Sequence, residues 1–113
     1  MESVIAEKVE AIAHLGMLNS RMKNFFDIWF LAKTFTFDPD KLSQAIAATF
    51  NRRATEWRIA KLEELLAALG SDPIKTLQWR AFLRKSSLAA PVEFSDITNA
   101  VRVFLSRHVG DGQ

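Results

Sequence analysis

Cysteine is absent from the chain, which excludes disulfides and thiol chemistry. Glycine and proline are scarce, with four and three among 113 residues. No alternation of apolar and polar residues is sustained, so a turn-rich β architecture has no basis. No stretch reaches the roughly 18 unbroken apolar residues of a membrane span. Histidine occurs only at positions 14 and 108, far apart, and no metal-ligand spacing is present. Charge of one sign is also lacking: 15 bases stand against 13 acids, for a net +2. That surplus alone does not argue for nucleic-acid binding. The opening MESVIAEKVE carries acids where a signal peptide carries bases, so a cytoplasmic protein is expected.

What is present is apolar residues at 49% and charged residues at 25%, the ordinary make-up of a globular domain. The length suits one domain, residues 1–113, with one modest core. The chain reads as all-α, a compact bundle of five to six helices. Helix one is expected over about Val4–Met17, closed by Gly16 and the Asn19-Ser20 turn. Helix two follows a Ser20 cap and runs to about Thr34. Asp38 caps helix three, with Pro39 in its first turn, and that helix runs to about Arg53. Helix four covers about Ile59–Leu69, with Gly70 as its stop. Ser71 or Asp72 caps helix five, which runs to about Lys85. Ser95 caps helix six, about Asp96–Arg107, and the tail VGDGQ frays. Trp29, Phe30, Phe50, Leu66, Trp79, Phe82 and Phe104 are expected inside.

Two charged residues interrupt apolar faces. On a helical wheel Ile5, Val9, Ile12 and Leu15 form one stripe, and Glu7, Glu10 and His14 occupy the opposite, solvated face. Lys8 falls inside the stripe, between Ile12 and Leu15. A lysine there snorkels, pairs with an acid or holds an anion. In NSRMKNFFDIWFLA, Asp27 sits amid apolar residues, with Asn24 one turn before it. Arg21 and Lys23 lie in the first turn, where cations oppose the helix dipole. A nearby anion answers that conflict, and so does a plain Lys23–Asp27 contact. The Gly16–Ser20 turn is short, so helices one and two run antiparallel. Lys8 and Asp27 are roughly equidistant from it and are expected to meet. Arg52 and Arg53 complement the dipole at the end of helix three.

The segment AEKVEAIAHLGMLNSRMKNFFDIWFLA resembles a block of the AbiEii/AbiGii-toxin-like nucleotidyltransferases. There an AEK segment precedes an R-x-K-D-F-Y-D-L-W type helix. AIAATFNRRAT is similar to the family's A-I-x-x-T-F-x-R-R-x-T segment. LQWRAFLRKSSLAAPVEFSDITNAVRVFL is similar to its W-x-x-F-L and following helix. The resemblance covers nearly the whole chain. It departs in two places. Family members carry an earlier sheet-bearing half with a Gly-Gly or Gly-Ser turn and paired D-x-D acids, and nothing like it is found here. The chain therefore looks like the C-terminal helical portion, without the nucleotidyltransferase sheet half. In addition, Asn24 stands where the family pattern has Asp.

The resemblance implies transfer of a nucleotidyl group from an NTP, with Mg2+, to a tRNA or protein acceptor. It assigns Asp27 and the Asn24 position to the acid beside the attacking hydroxyl, and Lys8, Arg21 and Lys23 to the nucleotide. Neither metal nor NTP is expected on this chain alone, which is expected to be inactive without the missing half. Partners implied are that half or an antitoxin-like protein. A homodimer is expected from the apolar surplus of helices one and two. Two other readings stand beside this one. One is a small helical interaction module without catalysis. The other is a nucleic-acid-binding domain using Arg21, Lys23, Arg52, Arg53, Arg58 and Lys61.

Overall fold

Two Asp-Pro pairs set the helix starts that the sequence marks most clearly. In the computed structural model, which describes residues 1–109, the Asp38 carboxylate accepts from the N–H groups of Asp40 and Lys41 at 2.9 and 3.3 Å. Asp72 accepts likewise from Ile74 and Lys75 at 2.8 and 3.1 Å. Each satisfies N–H groups that a helix start leaves without partners, and the proline after it has no N–H to lose. The helices are α1 (Glu2–Leu15), α2 (Met22–Thr34), α3 (Pro39–Arg52), α4 (Ile59–Ser71), α5 (Pro73–Ser86) and α6 (Phe94–His108). No strand occurs among the described residues.

Gly16 ends α1 at φ 56°, with its N–H bonded to Ile12 O. Open space surrounds the position where a Cβ would stand, so the glycine is needed for backbone angle alone. One 3-10 turn, Gly16–Leu18, then leads into α2.

Ser20 and Ser95 do not cap their helices. Helix α2 starts after Arg21 and α6 after Glu93, neither with a side-chain cap. Asn19 supplies the local bond instead, its Oδ1 accepting from Arg21 N–H at 2.8 Å. Nor does Gly70 stop α4, which continues through it to Ser71.

Helix α1 lies on α3 and α4 on α6, while α2 touches α1, α5 and α6. One core joins all six. Helices α1 and α3 contribute Ile5, Val9, Ile12, Leu42, Ile46 and Phe50 to it, and α4 and α6 contribute Leu62, Leu66, Leu69, Ile97, Val101 and Leu105. Phe25 packs edge-on against Phe94, with ring centres 5.0 Å apart. Phe50, Leu66, Trp79 and Phe104 are buried as expected. Phe30 is not: it is 43% exposed, and Trp29 and Phe82 are only half-buried. The run FFDIWFLA is apolar on more of its circumference than the neighbours of α2 cover. Val109 is buried, so the chain is anchored one residue past α6. The rest of the tail lies outside the described residues.

Candidate functional site

The short turn does run α1 and α2 past one another. Lys8 Nζ lies 2.9 Å from Asp27 Oδ2. Lys23 Nζ lies 2.8 Å from the same oxygen, one helical turn away on α2. Lys8 and Asp27 are largely covered, at 24% and 16% side-chain exposure, whereas Lys23 is at 72%. Two cations on one carboxylate oxygen leave a surplus positive charge at the mouth of the hairpin. Burial alone pushes the Asp27 carboxyl up. Hydrogen bonds from Lys23 and Lys8, with their charges, outweigh it and hold the group below its ordinary value.

That shift makes a prediction about acid. A carboxyl lowered in the folded state contributes stability above its unfolded value and loses it as pH falls through the lowered value. Urea titrations below about pH 4 should show wild type losing stability faster with acid than Asp27→Asn. Parallel acid profiles for the two proteins would refute this role of the pair.

Asn24 stands one turn before Asp27, half-buried, and its side chain makes no hydrogen bond among the described residues. Arg21 is exposed and has no carboxylate within ion-pair reach among them. The structure thus brings Lys8, Lys23 and Asp27 together, with Asn24 and Arg21 beside them in sequence. A divalent cation does not fit this arrangement. The Asp27 carboxylate already serves two ammonium groups, and no cluster of three metal-ligating side chains exists among the described residues.

A second polar cluster was not legible beforehand. Glu10 faces inward and is 3% exposed, contrary to the solvated face its wheel position suggests. Thr55 Oγ1 donates to its Oε2 at 2.6 Å, and Arg53 Nε lies 3.7 Å from Oε1. Arg52 and Arg53 also reach Glu7. They tie α3 to α1 in addition to facing a helix C-terminus. Arg58 and Lys61 pair with Glu56. Five of the six bases that a nucleic-acid surface would use, all but Arg21, therefore have acid partners, so they form no open basic stripe. A groove of about 520 Å³ lies between α4 and α6, away from Lys8, and the cation that lines it, Arg102, is engaged by Asn99 and Glu63.

No helix among the described residues is long and apolar enough to cross a membrane. No curated protein and no solved structure gives a significant match to the chain. The family model for the nucleotidyl transferase AbiEii toxin of the type IV toxin–antitoxin system matches residues 1–103. With nearly all of its length covered by that match, the chain belongs to the AbiEii nucleotidyl transferase toxin family.

Proposed function

We propose that this chain is the C-terminal helical portion of an AbiEii-type nucleotidyltransferase and that its α1–α2 hairpin receives the triphosphate of an NTP. The observation that carries this reading is the convergence of Lys8 and Lys23 on one Asp27 oxygen. Asp27 holds both ammonium groups in place before ligand arrives. A triphosphate offers more charge than a single carboxylate oxygen and draws Lys8 and Lys23 toward itself. Release from Lys8 also frees Asp27 to accept a hydrogen bond from an acceptor hydroxyl. Metal-assisted transfer needs paired acids that the described residues do not supply. Acids on a further, sheet-bearing half complete the site in this reading, and this chain does not transfer nucleotide without them. Asn24 cannot take a proton at neutral pH, so Asp27 is the only carboxylate of α2 available for that role.

Although the resemblance implies no NTP on this chain alone, two lysines already held together should give binding to wild type that calorimetry detects, and Lys8→Ala should weaken it about tenfold or more, the loss of a charge-assisted hydrogen bond. The same substitution should cost only about 1 kcal/mol of stability, because Asp27 keeps Lys23. Equal NTP affinity in the two proteins, or none in either, defeats the proposal. The stability loss alone then describes a structural lysine.

The exposed face of α5 favours a second reading, a docking module. Ile74 and Leu77 are 65% and 64% exposed and three residues apart, hence on one face. If that face joins two copies, light scattering at high concentration should give twice the 12.8 kDa chain mass. Ile74→Lys with Leu77→Lys should restore the monomer. A monomeric wild type removes this reading.

A further inference from the structure

The carboxyl-terminal halves of α2 and α6 lie side by side, and a groove of about 380 Å³ opens between them. Its floor is aromatic and aliphatic: Trp29, Val103 and Phe104. Its rim carries two cations, Lys33 from the last turn of α2 and Arg107 from the last turn of α6, with His108 beside them. Among the described residues no carboxylate lines it, and Lys33 and Arg107 have none within ion-pair reach. The clusters around Lys8, Arg53 and Lys61 each carry an acid, and the lining of this groove does not.

The Lys33 ammonium instead sits over the Trp29 ring, 4.3 Å from its centre. Trp29 is half-buried, packed against the core beside Phe26, and it lines the groove. The His108 ring packs on Phe104 at 4.7 Å, and its Nδ1 donates to Phe104 O at 2.9 Å. Phe104 is buried beneath His108, so the Trp29 ring is the aromatic surface of the groove, with the Lys33 ammonium over it.

We propose that this groove binds single-stranded nucleic acid, with an unpaired base on Trp29 and the adjoining phosphates on Lys33 and Arg107. Unpaired bases offer a π face and a phosphate on the same unit, which matches the Trp29 ring under a rim of two cations. Lys33 is displaced from the ring by the base and follows the phosphate, so its charge stays engaged. A docked peptide helix wants a row of apolar pockets at helical spacing, and this groove offers one short aromatic floor. Duplex is excluded because its bases present no free face. Cations at helix C-termini also have a bland role, complementing the dipole. That role predicts no affinity for oligonucleotides at all. The proposal stands apart from the Lys8–Asp27 site and does not depend on nucleotidyl transfer.

Fluorescence anisotropy of the whole chain with labelled oligothymidylate and oligouridylate of about eight nucleotides tests it. Both should bind at low salt, and affinity should fall as salt rises from about 50 to 200 mM. Trp29→Leu should weaken binding about tenfold, the loss of one stacked base. Lys33→Gln with Arg107→Gln should lower the salt slope by about 0.7 for each cation removed. Circular dichroism checks that each variant is folded. If Trp29→Leu fails to fold, the exposed charge pair decides alone. Absence of binding, duplex of equal length bound as well as single strands, an acidic aromatic peptide bound more tightly, or a charge variant with unchanged slope each overturns the proposal.

Discussion

Replacing Trp79 by alanine should cost the domain about 3–5 kcal/mol, a large share of the roughly 5–15 kcal/mol that holds such a domain folded. The side chain is wholly excluded from solvent. Its ring packs against Phe82 and Phe94, each 5.5 Å away between centres, so truncation opens a cavity in the seam of α5 and α6. It also removes a tether. Trp79 Nε1 donates to Pro91 O at 2.9 Å, fastening the loop between α5 and α6 to the core. That loop leaves α5 through Ser87 at φ 55°, a left-handed turn that few side chains favour. Trp79→Phe separates the two effects. It keeps most of the ring contact but leaves Pro91 O without its donor, and should cost about 1–3 kcal/mol. Chemical denaturation measures both, and a loss below about 1 kcal/mol for Trp79→Ala would show that the site is not core.

What was legible in the chain followed the range of the interaction concerned. Asp38-Pro39 and Asp72-Pro73 start helices because cap and proline act within four residues, and all of that information is local. The Lys8–Asp27 meeting was also readable. A short turn makes the helices antiparallel, and two charges on apolar faces at matching distances from it have few other partners. Ser20 and Ser95 misled because serine near a helix start is common whether or not it caps. Glu10 misled because its partners lie 43 and 45 residues away, at Arg53 and Thr55. A wheel drawn on α1 alone cannot contain them. Phe30 misled for a related reason: a run that is apolar nearly all round does not say which side its neighbours leave open. The α2–α6 groove was invisible for the same cause, since Trp29 and Arg107 come from opposite ends of the chain. Tryptophan is also more often core than platform.

Gly70 carries the other large effect, and its sign runs against intuition about helices. Glycine inside a helix costs about 1 kcal/mol relative to alanine, so Gly70→Ala gains at most that amount, and less near the helix end. Packing opposes the gain. A Cβ added at Gly70 would stand 2.3 Å from Thr98 Oγ1 and 3.2 Å from Ser95 Cα. Neither neighbour is free to retreat. Thr98 is buried on α6, its hydroxyl bonded to Ser95 O, and Ser95 Cα is backbone. Helices α4 and α6 must therefore separate, and both bury core residues, Leu66 and Leu69 on one and Ile97 and Val101 on the other. Overpacking of this kind costs about 1–3 kcal/mol, and sometimes more. Gly70→Ala should thus destabilise the domain by about 1–2 kcal/mol net, and Gly70→Val by more. Thr98→Ala tests the cause, since it removes the closest atom. In the Thr98→Ala background the cost of Gly70→Ala should shrink, because the two sites are in contact and couple. It should not vanish, since Ser95 Cα stays at 3.2 Å. Urea denaturation of the four proteins in that cycle reads the coupling directly. Additive losses, or a stabilised Gly70→Ala, would place the tolerance of this seam in backbone movement rather than in the hydroxyl.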